Sequence, residues 1–262
     1  MISFMAAFWA ESLKILKSKI FWIIILVFIV FPLMPGFYMF VLKNPGLFDT
    51  GGMLSRISGF AEKASWSKYF SMVTQAVPGG IGGVGFGLIT CWVFGQEFSN
   101  HTAKDILALP ISRATIVLAK YAVLTIWSIF LSVVLLVTML MIGNVLQLEG
   151  WSDAIFANAV RTFVETSLLT ILLSPPVGFL ASVGRGYLAP MGFVASAFAI
   201  ASFAGNLGFG PYFPWAIPAL FSGAAGPEAA LLAPVSYMIL FMACILGLLG
   251  TMAWWRYADH VH

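Results

Sequence analysis

Charge is what this chain of 262 residues has least of: 9% of its side chains are Asp, Glu, Lys or Arg, with 13 basic and 10 acidic residues. A soluble domain carries about 25% charged residues, so there are too few here to clothe a water-facing globule. Soluble enzymes, nucleic-acid binders and disordered regulators are excluded on that count. Cysteine is nearly absent too. Cys91 and Cys244 sit far apart inside apolar runs and read as small packing residues, not as a disulfide or a metal pair. No G-x-x-x-x-G-K-[ST] phosphate loop occurs, so the chain does not hydrolyse ATP by that route. His101, His260 and His262 flank apolar runs with no carboxylate or Cys partner at metal-ligand spacing, and no nucleophile–base arrangement accompanies them. No metal or cofactor is expected in this chain.

What remains is apolar: 61% of the residues are hydrophobic, and 25 glycines add to them. A membrane span needs about 20 such residues, and a helix satisfies its backbone within one segment. Six runs qualify: residues 20–42, 73–95, 115–145, 160–184, 187–205 and 233–255, the fourth interrupted by Ser174-Pro175-Pro176. The first is longer than a signal-peptide core and is expected to stay as an uncleaved span. The reading is therefore an all-α polytopic membrane protein, one transmembrane domain over residues 1–262.

Orientation follows from Lys and Arg in the connections. With the N-terminus inside, the cytoplasmic side collects Lys14, Lys17, Lys19, Lys104, Arg113, Lys120, Arg185 and Arg256. The outer side keeps Lys43, Arg56, Lys63, Lys68 and Arg161. Both termini are expected to be cytoplasmic, in a cell membrane. That places the glycosylation-like Asn100-His101-Thr102 inside, a chance match. Residues 3–18 form a separate feature. Ser3, Ala7, Ala10, Glu11, Lys14, Lys17 and Ser18 share one arc of a helical wheel, and Phe4, Met5, Phe8, Trp9, Leu13, Ile15 and Leu16 the other. Two readings stay open: a helix in the interface with lysines toward anionic headgroups, or an extension of the first span.

Two outer segments are expected. Residues 43–72 read as a polar loop. Residues 206–232 are apolar but broken by Pro211, Pro214, Pro218 and Pro227 and by glycines, which fits a re-entrant or surface-lying pair of short helices. Within the second span, Gly80-Ile81-Gly82-Gly83-Val84-Gly85 spells G-x-G-x-x-G without a βαβ context. It reads better as a small-residue face, Gly79, Gly83 and Gly87, that lets helices approach closely, for packing or along a substrate path. Ionisable residues inside spans are few. Glu165 has Arg161 one turn away to pair with, and Lys120 is placed to snorkel. An ion-coupled carrier would have to rest on Glu165.

The connection between the second and third spans has the most character: Phe94-Gly95-Gln96-Glu97-Phe98-Ser99-Asn100-His101-Thr102-Ala103-Lys104-Asp105-Ile106-Leu107-Ala108-Leu109-Pro110-Ile111-Ser112-Arg113. Thr102 with Asp105 makes a capping-box-like helix start. Ile106, Leu107 and Leu109 give an apolar side, and Pro110 ends the helix near Leu109. Ser112 is placed to cap the next span. The expected product is a short helix over residues 98–110, lying on the bilayer or docking a cytoplasmic partner.

The run FGQEFSNHTAKDILALPISRATIVLAKY resembles the signature of ABC-2-type exporter permeases in Glu97, Thr102, Leu107, Pro110, Ser112, Arg113 and Lys120. His101 stands where that family often has Gly. The likeness extends to the N-terminal helix, the six spans and the broken segment before the last span. The closing stretch Leu248-Leu249-Gly250-Thr251-Met252-Ala253-Trp254-Trp255-Arg256-Tyr257 is similar to endings of bacitracin-resistance-type permeases. The resemblance implies a permease subunit that pairs with a second copy, a homodimer. Each copy docks a cytoplasmic ABC ATPase through residues 98–110, two ATPase copies in all, with ATP and Mg on that partner. Glu97, Thr102, Asp105, Ile106, Leu107, Leu109, Pro110 and Arg113 would form the coupling element, with Glu97 and Arg113 expected to pair across its base. In that family the second and fifth spans form the dimer face, for which Gly79, Gly83 and Gly87 and residues 191–205 suit close packing. The implied cargo is an amphipathic or lipid-linked compound, such as an antimicrobial peptide or drug. A non-transporting scaffold subunit is the remaining reading, supported by the shortage of polar residues along the spans.

Overall fold

The computed structural model describes residues 2–44, 63–100, 111–224 and 232–257. Its helices follow from the rule that backbone polar groups in hydrocarbon must be satisfied within the segment. Six helical stretches are long and apolar enough to cross a membrane: Lys19–Lys43, Trp66–Ser99, Arg113–Val145, Asp153–Val183, Leu188–Asn206 and Pro234–Tyr257. Among the described residues there is no strand, only one bridge between Ser65 and Glu149.

Helix α1 (Ile2–Lys17) precedes them. It stops because Ser18 is extended and caps the next helix, its hydroxyl accepting from the Ile20 N–H at 3.2 Å. This makes α1 a separate helix and not an extension of the first span. That span itself divides into α2 (Lys19–Val30) and α3 (Leu33–Lys43), where Pro32 and Pro35 remove backbone donors. The Tyr69 hydroxyl reaches over from the second span to the Pro32 carbonyl at 3.0 Å and fixes the bend.

The second span starts earlier than its hydropathy suggests. Helix α4 (Trp66–Gly79) is capped by Ser65, and α5 (Ile81–Ser99) follows. Residues 66–72, expected in the outer loop, are helical because Trp66, Tyr69 and Phe70 are buried while Ser67 and Ser71 face outward. A hydropathy window averages the two faces. Pro78 lies inside the span. Gly80 turns between the two helices with φ −114° and ψ −114°, where a Cβ would lie 2.6 Å from the Ala76 carbonyl oxygen.

The third span is one unbroken helix, α6 (Arg113–Val145), 33 residues long and so about 50 Å. Ser112 caps it as its position suggested, accepting from the Thr115 N–H at 3.1 Å. The fourth is broken where Ser174-Pro175-Pro176 placed the break, into α7 (Asp153–Ile171) and α8 (Ser174–Val183). It begins before residue 160, on a Ser152 cap. Helices α9 (Leu188–Asn206) and α11 (Pro234–Tyr257) are the fifth and sixth spans. Between them, a 3-10 turn at Gly210–Tyr212 leads to the short α10 (Ile217–Phe221), whose Ile217 is fully buried. Residues 225–231 of that segment lie outside the described residues. Cys91 and Cys244 are free thiols, the first buried.

Helix α8 packs tightly on α11. A Cβ on Gly247 would come within 2.4 Å of the Pro176 nitrogen and 2.6 Å of the Pro175 carbonyl carbon, both backbone atoms with little room to give. Gly247→Ala is therefore expected to cost about 1–3 kcal/mol by overpacking. Gly192→Ala, where nothing lies within 4 Å, is expected to be neutral. Thermal unfolding of the detergent-solubilised protein checks this, and equal melting temperatures for the two variants would refute the packing.

Candidate functional site at the charged end of the bundle

The C-terminus of α5, the start of α6 and helix α1 meet at one end of the bundle, around four charged side chains. The Lys120 ammonium is fully buried; it donates to Glu11 Oε2 at 2.8 Å, Glu97 Oε1 at 2.8 Å and the Val93 carbonyl at 3.1 Å. All three of its N–H donors are used. Lys14 donates to Glu11 Oε1 and Glu97 Oε1, each at 2.8 Å. Two carboxylates and two ammoniums thus close a neutral ring, with Glu11 and Glu97 themselves only 4% and 2% exposed. Lys14 is held above the ordinary lysine value. Partial burial opposes its charge, but Glu11 and Glu97 together outweigh it.

Three expectations change here. Lys14 does not turn to headgroups; α1 meets the bundle along a strip that joins Glu11 and Lys14 to the buried apolar Ile15, and Lys17, Met5 and Trp9 are left exposed. The sequence wheel could separate polar from apolar residues on α1 but not place this mixed strip, because Glu97 and Lys120 supply the missing partners. Lys120 does not snorkel, since anions reach it inside. Glu97 also does not pair with Arg113, which instead donates to the Trp255 and Arg256 carbonyls at 3.0 and 3.2 Å, capping α11. Glu11, Lys14 and Lys120 were not grouped from sequence. The signal available was one lysine seven residues into a span, which needs a counter-charge.

Of the coupling candidates, the structure describes Glu97, in the ring, and Arg113, at the start of α6 and bonded to the end of α11. Thr102, Asp105, Ile106, Leu107, Leu109 and Pro110 lie outside the described residues. Their segment leaves α5 two residues after Glu97 and rejoins at α6, so the ring joins both roots of the connection. Of the small-residue face, Gly83 and Gly87 pack within the chain. A Cβ would be 2.3 Å from the Phe198 ring at Gly83 and 3.2 Å from Val194 at Gly87, both on α9. Gly79 is exposed, with nothing within 4 Å. It borders a cavity of about 260 Å³ shared with Gln75, Ser202, Gly205 and Asn206. Glu165 pairs with Arg161 at 2.9 Å as the spacing suggested. Counted from the observed start of α7 at Asp153, it sits about 18 Å along the helix. Among the described residues no group of His, Cys, Asp and Glu has the arrangement of a metal site.

Residues 7–202 match the family described as ABC-2 family transporter protein. The chain is 27% identical over 177 residues to the bacitracin transport permease protein BCRB of Bacillus licheniformis, covering 66% of this chain and 83% of that protein. No solved structure matches it.

Breaking a buried ion pair by removing one partner typically costs about 3–5 kcal/mol, because the other charge is left uncompensated. Lys120→Met is expected to destabilise the protein by that amount. Lys120→Met combined with Glu11→Gln leaves the balanced pair Lys14–Glu97 and is expected to recover more than half of the loss. Melting temperatures of parent, single and double variants measure it; a Lys120→Met protein that melts like the parent would show that the ring carries no weight.

Proposed function

We propose that this chain, which belongs to the ABC-2 family of transporter proteins, is the membrane-spanning subunit of an ATP-driven exporter in which two copies form the pathway. A cytoplasmic ABC ATPase docks on each copy through residues 98–110, and ATP and Mg are held on that partner. The observation that carries this reading is the ring of Glu11, Lys14, Glu97 and Lys120. It binds α1 and both roots of the connection into one body, so a push on the connection moves α5, α6 and α1 together and not as separate strings. Both termini lie in the cytoplasm of a prokaryotic cell, on the side that collects most of the Lys and Arg, with α1 in the interface. The dimer forms along the outer stretch of α4 near Gly79 and the small-residue face of α9, where the cavity beside Gly79 and Gly205 opens. The cargo is amphipathic or lipid-linked, of the antimicrobial-peptide or drug kind, which the name of the Bacillus licheniformis relative supports. An ion-coupled carrier built on Glu165 is less well supported, since that carboxylate is engaged by Arg161.

The test is a mild-detergent pull-down of the tagged chain from its native membrane. A partner carrying a phosphate loop is expected in stoichiometric amount. Asp105→Arg and Leu107→Asp are expected to reduce its recovery and transport to background while insertion into the membrane stays normal. Transport that survives both changes would overturn the docking assignment, and transport that persists without ATP would overturn the exporter.

A further inference from the structure

The exposed surface of the spans is of two kinds. Helices α2, α3, α6 and α11 present large apolar side chains such as Leu26, Met34, Ile129, Val137, Met238 and Leu249, as a lipid-facing surface requires. The outer half of α4 exposes none of these, and α7 mixes exposed Val164 and Leu168 with polar side chains. The two helices expose Ser67, Ser71, Asn158 and Arg161, and Arg161 and Glu165 are 76% and 40% exposed as side chains although they lie along a span. Polar and ionisable groups exposed along such a stretch are accommodated where protein or water, not lipid, faces them.

Between these two helices lies a cavity of about 230 Å³, walled by Ser67, Ser71, Thr74, Asn158, Thr162 and Ser222 over a floor that includes Phe70 and Ile155. The Thr162 and Ser222 hydroxyls give their protons to the Asn158 and Ala219 carbonyls and keep lone pairs to accept with, and Ser71 accepts from Gln75 and keeps a proton to donate. With the Ser67 hydroxyl and the Asn158 amide, the wall offers both donors and acceptors. Neither cation of these helices lines the cavity: Arg161 pairs with Glu165 at 2.9 Å, and Lys68 lies over the Tyr38 ring at 5.2 Å. A phosphate or carboxylate would find no cation in the wall, whereas an uncharged hydroxyl- or amide-bearing group would find hydrogen-bonding partners and an apolar floor for its attached chain.

We infer that the groove between α4 and α7 is a binding site, open to the outer side, for the uncharged hydrogen-bonding head of an amphiphile. It rests on the exporter reading only for its role, that of holding the cargo's head on the way out.

The experiment uses the full chain, with whatever ATPase co-purifies, in lipid nanodiscs. A Cys244→Ala background leaves only the buried Cys91. Ser71→Cys and Thr162→Cys report on the groove, and Ile129→Cys on the lipid face. A thiol must be hydrated to ionise, so a charged maleimide is expected to label the groove positions about tenfold faster or more than the lipid-facing one. Dodecyl maltoside, with an uncharged sugar head, is expected to slow that labelling severalfold at sub-solubilising concentration, and dodecylphosphocholine, with the same tail, to leave it unchanged. No labelling at either groove position, or equal protection by the two detergents, overturns the inference. Protection by dodecylphosphocholine alone reassigns the groove to phosphate-bearing heads and overturns it as stated. Because labelling does not depend on transport, the two readings fail separately. Selective protection with no ATPase in the preparation would keep the groove and remove the exporter. An ATPase partner with an unlabelled groove would do the reverse.

Discussion

Everything at the charged end of this protein depends on four charges cancelling one another where water is scarce. An isolated buried ion would be driven neutral or expelled, yet Lys120 has no exposed surface at all. It is tolerated because each of its protons meets an oxygen and because Lys14 balances the second carboxylate. The arrangement is specific in a way that apolar contact is not. Greasy helices slide past each other at little cost, whereas a ring of charges in a low dielectric has one register. The ring fixes where α1 lies and which turn of α5 faces which turn of α6.

The legible part of the molecule was the part encoded locally. Six apolar runs gave six spans, Ser174-Pro175-Pro176 gave the break before α8, and Ser112 gave the cap of α6, because each of these is decided by neighbours in sequence. What stayed hidden involves partners far apart. The Lys14–Glu97 contact spans 83 positions and Lys120–Glu11 spans 109, so no periodicity announces them. The early starts of α4 and α7 were hidden for another reason. Their faces differ, Trp66 and Phe70 buried against Ser67 and Ser71 exposed, and an averaged hydropathy reads such a segment as loop. The connecting segment was legible as a pattern of residues, Thr102 to Pro110, not as a structure.

The spans divide into posts and joints. Helices α6 and α11 run unbroken, while the first, second and fourth spans are each interrupted by proline, at Pro32, Pro78 and Pro175. The joints are braced from neighbouring helices: Tyr69 holds the Pro32 carbonyl, and the Tyr121 hydroxyl of α6 donates to the Pro175 carbonyl at 3.1 Å. Bent spans braced in this way by neighbouring helices can change angle without exposing backbone to lipid.

The ring also imposes an order of biogenesis. Helix α1 is made before Glu97 and Lys120, so on emerging it has no protein partner to receive Glu11 and Lys14. Until the second and third spans enter the bilayer its charges must stay among water and lipid headgroups, with its apolar side inward. Only then can Glu11 and Lys14 close onto Glu97 and Lys120. Helix α1 is therefore made before the second and third spans but seated after them, and its docking marks a subunit whose first three spans are already in place.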